Sequence, residues 1–310
     1  MTLDRVIIGD CREALRTIDA GAVQCCVTSP PYWGLRDYGV DGQIGLKQTP
    51  AEYVEQLVAV FREVRRVLAD DGTLWLNLGD SYQNAKGQAG GVDPKQPARR
   101  HGLRPSDVTI EGLKPKDLVM IPSLVALALQ ADGWWVRSEI IWHKPSPMPE
   151  PVADRPTMAH EKVFLLAKSG RYFYDAKAIA ERAVSEAPSG NGFKREARLS
   201  LDGRGSDEKW TDVGGTRNAR SVWTIATQPY SGAHFATMPP QLAQRCILAG
   251  SRIGDTVLDP FLGSGTVGMV AQSLGRHWIG CELNPKYESL INLRTAQKGL
   301  LAGVSVVCSP

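Results

Sequence analysis

The chain has 310 residues, 43% of them hydrophobic and 22% charged, with a formal net charge of +3 at pH 7. These are the values of an ordinary soluble globular protein, long enough for one large domain or one domain plus an insert. No apolar run approaches the roughly 20 residues that cross a bilayer. The opening MTLDRVIIGD lacks a signal-peptide pattern, so a cytoplasmic protein with no membrane partner is expected. The six cysteines, at 11, 25, 26, 246, 281 and 308, form no Cys-x-x-Cys pair, which argues against a zinc site or a disulfide framework.

In chain order, residues 6–8 read as a short strand ending in Gly9-Asp10, with a helix to about Ile18. Residues 23–28 form a buried strand in which Cys25 and Cys26 are packing residues, and it feeds VTSPPYWGLRDYG at 27–39. Thr49-Pro50-Ala51-Glu52 has the form of a capping box with proline at the first helical position. Val54, Leu57, Val58, Phe61, Val64 and Leu68 then repeat at helical spacing. Asp71-Gly72 is read as the end of that helix and 73–78 as the next strand.

Residues 81–117 form a Gly/Pro-rich basic stretch that includes Arg99 and Arg100. Such a run is usually a solvated face, but between ordered segments it suits a loop near a polyanion. A helix over 116–131 follows, then strands at 135–143 and 162–167, with Tyr172-Phe173-Tyr174 close behind. Strands alternating with helices predict an α/β domain with a mostly parallel sheet. From 176 to 226 the pattern lapses into Gly, Ser, Asp, Arg and Lys, the composition of an insert. A helix from Pro240 to Ala249 restores regular structure. The expected organisation is therefore one domain in two halves, 1–175 and 227–310, separated by the insert 176–226.

The chain closes in DTVLDPFLGSGTVGMVAQSLGRHWIGCELN, residues 255–284. Gly263-Ser264-Gly265-Thr266-Val267-Gly268 matches G-x-G-x-x-G between a strand and a helix, and the following strand ends in Glu282. Glycines let a backbone approach a ligand, and an acid ending the second strand can accept from ribose hydroxyls, so an adenosine-containing ligand is indicated. Asp259-Pro260-Phe261 between strand and glycines argues against a nicotinamide enzyme, whose chain turns there almost at once. The unit also starts too late for the strands it needs. The N-terminal segment must supply them, which predicts a permuted sheet with Asp10, Ser29 and Asp259 on one rim.

DPFLGSGT near the C-terminus, with TSPPYW near the N-terminus, resembles the DNA amino-methyltransferases of the permuted beta class. The resemblance covers the chain outside the two inserts. It implies a Rossmann-like, doubly wound, circularly permuted α/β fold with a variable target-recognition insert. It further implies S-adenosyl-L-methionine as cofactor with no metal, double-stranded DNA as partner, and a leaning toward a homodimer. A cognate restriction endonuclease is left open. Asp259, Pro260, Phe261, Gly263, Ser264, Gly265 and Thr266 are assigned to the cofactor pocket, Glu282 to the ribose hydroxyls and Asp10 to the adenine amine. His234 and Phe235, in GAHFATMPPQL, would flank the methionine end, although His234 can equally cap the next helix.

The Ser29-Pro30-Pro31-Tyr32 motif has a chemical reading in that setting. An exocyclic amine is a poor nucleophile because its lone pair is delocalised into the ring. Ser29 Oγ and the Pro30 carbonyl are suitable acceptors for its two hydrogens, and the prolines stiffen their support. Tyr32 offers a face to a base swung out of the duplex. Trp33 either extends that platform or fills core. In the resembled family serine at the first position favours cytosine N4 over adenine N6. Methylation at cytosine C5 would need a Pro-Cys nucleophile, which the chain lacks. Arg195, Arg198, Arg204, Arg217 and Arg220 of the insert are candidates for base or phosphate contacts. The rival readings are an RNA methyltransferase and a catalytically silent DNA-binding protein.

Overall fold

The computed structural model describes residues 2–35, 39–46, 49–84, 105–107, 109–182, 215–228 and 237–296. The first elements are strand β1 (Arg5–Ile8), helix α1 (Cys11–Arg16), β2 (Val23–Thr28), α2 (Pro50–Val67), β3 (Leu68–Leu78), α3 (Ile121–Ala131), β4 (Trp135–His143) and β5 (His160–Ala167). A two-residue pair, β6 (Glu181–Arg182) and β7 (Thr216–Arg217), precedes β8 (Val222–Thr224). The C-terminal part holds α4 (Pro240–Gly250), β9 (Thr256–Asp259), α5 (Thr266–Ser273), β10 (His277–Glu282) and α6 (Glu288–Ala296).

Eight strands form one sheet in the order β1-β10-β9-β2-β3-β5-β4-β8. All neighbouring pairs are parallel except the two made by β5, which runs against β3 and β4. The last two strands of the chain, β9 and β10, thus lie between β1 and β2. Side chains alternate across the sheet. Cys26 and Leu74 pack in a cluster with Leu57, Phe61 and Leu129 of α2 and α3, whereas Cys25, Val27 and Trp75 pack with Leu242 and Ile247 of α4 and Val270 of α5. Both faces are covered, which is why the central strands read as near-continuous apolar runs. The five described cysteines are buried free thiols. Among the described residues no helix is long and apolar enough to cross a membrane.

Thr49 caps α2 as its spacing predicts, with reciprocal bonds to Glu52. Four differences from the sequence expectations bear on the packing. Helix α2 ends at Val67 rather than at Asp71-Gly72, because Leu68 is extended and already pairs with Val23. The next registered pair is Cys25 with Thr73, so Asp71-Gly72 sits in a bulge-like irregularity inside β3. Helix α3 starts at Ile121 rather than 116, because Lys116 and Met120 have positive φ; Asp80 supplies the cap by accepting from Ile121 N at 3.0 Å. Residues 172–174 are not a strand, although Tyr174 stacks on Trp75 with ring centroids 6.4 Å apart.

The fourth difference concerns the insert. Its end, β8, is an edge strand of the main sheet. Trp223 is 2% exposed and stacks on Trp75 at 6.1 Å, and Trp142 Nε1 donates to Ile225 O at 2.8 Å. A polar segment conceals this because only alternate residues of a short edge strand face the core. Trp223→Ala should therefore destabilise the protein by about 3–5 kcal/mol in urea unfolding, the cost of emptying a packed aromatic site. A loss below about 1 kcal/mol would mean that the segment is surface loop.

Candidate active site

The parallel strands end on one rim, and there they enclose a cleft of about 760 Å³. Asp10, Ser29, Asp259 and Glu282, from the ends of β1, β2, β9 and β10, all line it.

On the glycine side, Thr28 Oγ1 donates to Asp259 Oδ1 at 2.7 Å and Phe261 N donates to the same oxygen at 3.0 Å. Burial pushes the Asp259 carboxyl up to about 7 despite these bonds, and the nearby Glu282 adds to the rise. Glu282 accepts from Gly263 N at 2.9 Å and Asn284 N at 2.8 Å, and burial raises its pKa too. Gly265 begins α5 at φ 84°, a conformation that favours glycine, with its Cα face against Ile291. Arg294, buried in α6, donates to Ser264 O at 2.9 Å, Ser264 Oγ at 2.5 Å and Thr266 Oγ1 at 3.1 Å. One guanidinium thus fastens the loop to the last described helix.

Asp10 caps α1 by accepting from Arg12 N at 2.8 Å, and its carboxylate pairs with the Arg12 guanidinium, which holds its pKa below the usual value. The Asp10 side chain is still 29% exposed on the cleft wall.

On the Ser-Pro-Pro-Tyr side, a polar network lies beneath the motif. Ser29 Oγ donates to Tyr32 Oη at 3.3 Å, and Tyr32 Oη donates to Glu161 Oε2 at 2.5 Å, with Asn77 Oδ1 at 3.2 Å. Asn77 Nδ2 donates to Glu161 Oε2 at 3.0 Å and Lys162 O at 3.3 Å, which orients the amide. Lys144 forms a close ion pair with Glu161. Burial, followed by the charge of Glu161, pushes the Tyr32 hydroxyl well above its ordinary pKa. The ring edge of Tyr32 fills the space where a Cβ on Gly79 would stand, 2.5 Å away. Tyr53 of α2 donates to the Pro31 carbonyl at 2.9 Å and anchors the motif from behind.

The cleft brings together Asp10, Ser29, Pro30, Pro31, Tyr32, Asp259, Pro260, Phe261, Gly263, Ser264, Thr266 and Glu282. Gly265 acts behind the wall rather than on it. Trp33 is fully buried among the residues of the α2–α3 face, so it is core and not a platform for a base. Arg217 and Arg220 surround Glu181 together with Arg245, at 3.8, 2.8 and 3.0 Å. His234, Phe235, Arg99, Arg100, Arg195, Arg198 and Arg204 lie outside the described residues. The sequence reading missed Asn77, Lys144, Glu161 and Arg294. Asn77 carried a signal, a lone amide in the apolar strand LWLNL. Glu161, at the start of the one reversed strand, could be placed only with the sheet order known. A wider groove of about 1150 Å³ between α2 and α3 holds none of the predicted site residues. Among the described residues no group of His, Cys, Asp and Glu could hold a metal ion.

The family model for N6/N4 DNA methylases matches residues 23–293. Type II methyltransferase M.Cfr9I of Citrobacter freundii is 50% identical over 90% of this chain and 83% of its own. M.SmaI of Serratia marcescens, also a Type II methyltransferase, is 47% identical over 95% of this chain and 91% of its own. Among solved structures, a putative DNA modification methylase of Thermus thermophilus, complexed with S-adenosyl-L-methionine, has a TM-score of 0.58 at 25% identity, covering 94% of this chain and 93% of its own. The PvuII DNA methyltransferase (cytosine-N4-specific) has the same fold, with a TM-score of 0.63 at 19% identity over 94% of this chain and 85% of its own. The chain belongs to the DNA methylase family.

The raised Asp259 carboxyl has a consequence for stability. The folded protein keeps this proton up to about pH 7, whereas an unfolded chain loses it near the ordinary 3.8. Stability of the ligand-free protein should therefore fall as pH rises from about 4 through 7. Asp259→Asn should lessen that decline, measured by urea unfolding at each pH; Glu282 and Asp80, raised by burial as well, account for part of the remainder. Equal slopes in the two proteins would contradict this charge assignment.

Proposed function

We propose that this DNA methylase, a member of the permuted beta class, transfers a methyl group from S-adenosyl-L-methionine to the N4 amine of a cytosine flipped out of duplex DNA. The observation that carries the reading is the Ser29 hydroxyl at the end of β2, lining one cleft with Asp259 and Glu282.

The residues present fit the cofactor. About 760 Å³ is within the range of small-molecule sites. Among the described residues, Glu282 accepts from Gly263 N on one carboxylate oxygen and from Asn284 N on the other, and a carboxylate can accept more bonds than these, so it can still receive ribose hydroxyls. Both bonds to Asp259 fall on Oδ1, which leaves Oδ2 for a cationic group of the ligand. When bound, S-adenosyl-L-methionine supplies an activated methyl on sulfur. The chain's own residues position the amine: Ser29 Oγ and the Pro30 carbonyl accept its hydrogens and so turn the lone pair toward the methyl. A base must leave the stack to reach them, and the Tyr32 ring on the cleft wall contributes stacking of about 1–3 kcal/mol.

Arg217 and Arg220 with Arg245 place three cations around one carboxylate, an excess suited to a phosphate backbone. The Type II relatives support a place in restriction–modification, with an endonuclease of the same specificity as the genetic partner.

The test is mass spectrometry of nucleosides from mixed-sequence duplex DNA incubated with the protein and isotope-labelled S-adenosyl-L-methionine. Labelled N4-methylcytosine is expected, with Ser29→Ala reducing it about 10²-fold, the scale of one positioned hydrogen-bonding group. Labelled N6-methyladenine would overturn the choice of base while keeping the reaction, and no labelled nucleoside would contradict both.

A further inference from the structure

The network beneath the motif is directional. Ser29 donates to Tyr32, and Tyr32 donates to Glu161, whose carboxylate can only accept. With its one proton committed inward, Ser29 Oγ presents lone pairs to the cleft. Asn77 and Lys144 hold Glu161 in place from β3 and from the end of β4. The Glu161 and Lys144 side chains are 15% and 19% exposed, so the far end of the chain of bonds still reaches water.

Resting on the reading above, we propose that Tyr32 and Glu161 form a proton relay that sets Ser29 as an acceptor toward the target amine and removes the proton liberated by methyl transfer. The amine lone pair forms the N–C bond while the S–C bond breaks, and sulfur keeps that electron pair. The methylated amine then carries one surplus proton. That proton passes to Ser29 Oγ as the serine proton moves to Tyr32 Oη and the tyrosine proton moves to Glu161 Oε2. Glu161 ends as a neutral acid beside Lys144 and releases the proton to solvent. Glu161 is a relay residue that acts through Ser29, and the Tyr32 hydroxyl acts the same way while its ring faces the base. The groups packed around Glu161 in this step are Tyr32 from the motif, Asn77 from β3 and Lys144 from the end of β4.

Two readouts test the relay with the intact protein. In the ligand-free state, the 2.5 Å bond between Tyr32 and Glu161 should give a low-field hydroxyl proton resonance that is absent in Tyr32→Phe and in Glu161→Gln. With labelled S-adenosyl-L-methionine and mixed duplex DNA, both variants should lose about 10²-fold in single-turnover methylation, the scale of general acid–base assistance. Cofactor affinity by calorimetry should stay within about twofold, because neither residue belongs to the glycine side; a larger loss would assign the pair to cofactor binding and overturn the relay. Tyr32→Phe removes one oxygen and keeps the ring, so an unchanged melting temperature separates the relay from a folding defect should Glu161→Gln unfold. Single-turnover rates within about threefold of wild type in folded Tyr32→Phe would also overturn it. Absence of product from the wild-type protein would instead defeat the functional reading on which it rests.

Discussion

The hydrogen bond from Thr28 to Asp259 joins residues 231 apart in sequence, and the site is organised around it. It lies where β2 and β9 end side by side, at the contact between the N-terminal and C-terminal halves of the domain. Asp259 is buried, and a buried carboxyl without partners is costly. Thr28 and the Phe261 amide together meet that need on one oxygen. The bond therefore fixes the turn after β9 and aligns it with the turn after β2, so that the glycine loop and the Ser-Pro-Pro-Tyr motif face one cleft.

The two walls of that cleft are built on different principles. On the glycine side, backbone groups do most of the holding: Gly263 and Asn284 amides clasp Glu282, and Arg294 clamps the loop through Ser264 and Thr266. Backbone donors at a strand–helix turn suit a ligand whose shape does not vary. On the motif side the geometry comes from side chains, in a network running from Ser29 to Lys144 through Tyr32, Asn77 and Glu161. Networks of this kind are worth more than isolated pairs only when every member is satisfied. Here the network also has a direction, with Ser29 donating to Tyr32 and Tyr32 to Glu161.

Much of this was legible in the sequence for a physical reason. Asp10, Ser29 and Asp259 could be placed on one rim because each ends an apolar run, and parallel strands present their C-terminal ends together. The capped start of α2 could be read because a capping box is local chemistry. What escaped depends on contacts distant in sequence. Glu161 matters only because β5 runs backwards between β3 and β4 and so brings its first residues to the rim. Arg294 matters only because α6 packs behind the glycine loop. Trp33 could be platform or core from sequence alone, and burial decides for core. Trp223 was hidden in a polar segment whose single inward side chain supports a whole edge strand.

Residues from both halves of the chain line one cleft, distinct from the wider apolar groove between α2 and α3, and it is this cleft that we propose holds the cofactor. The most direct measurement is photo-crosslinking of radiolabelled S-adenosyl-L-methionine to the protein, followed by peptide mapping. Label is predicted on two peptides, one containing Ser29 to Tyr32 and one containing Asp259 to Thr266, and unlabelled cofactor should compete for both. Label confined to residues of the α2–α3 groove, such as Val54, Val58 and Leu124, would contradict the account.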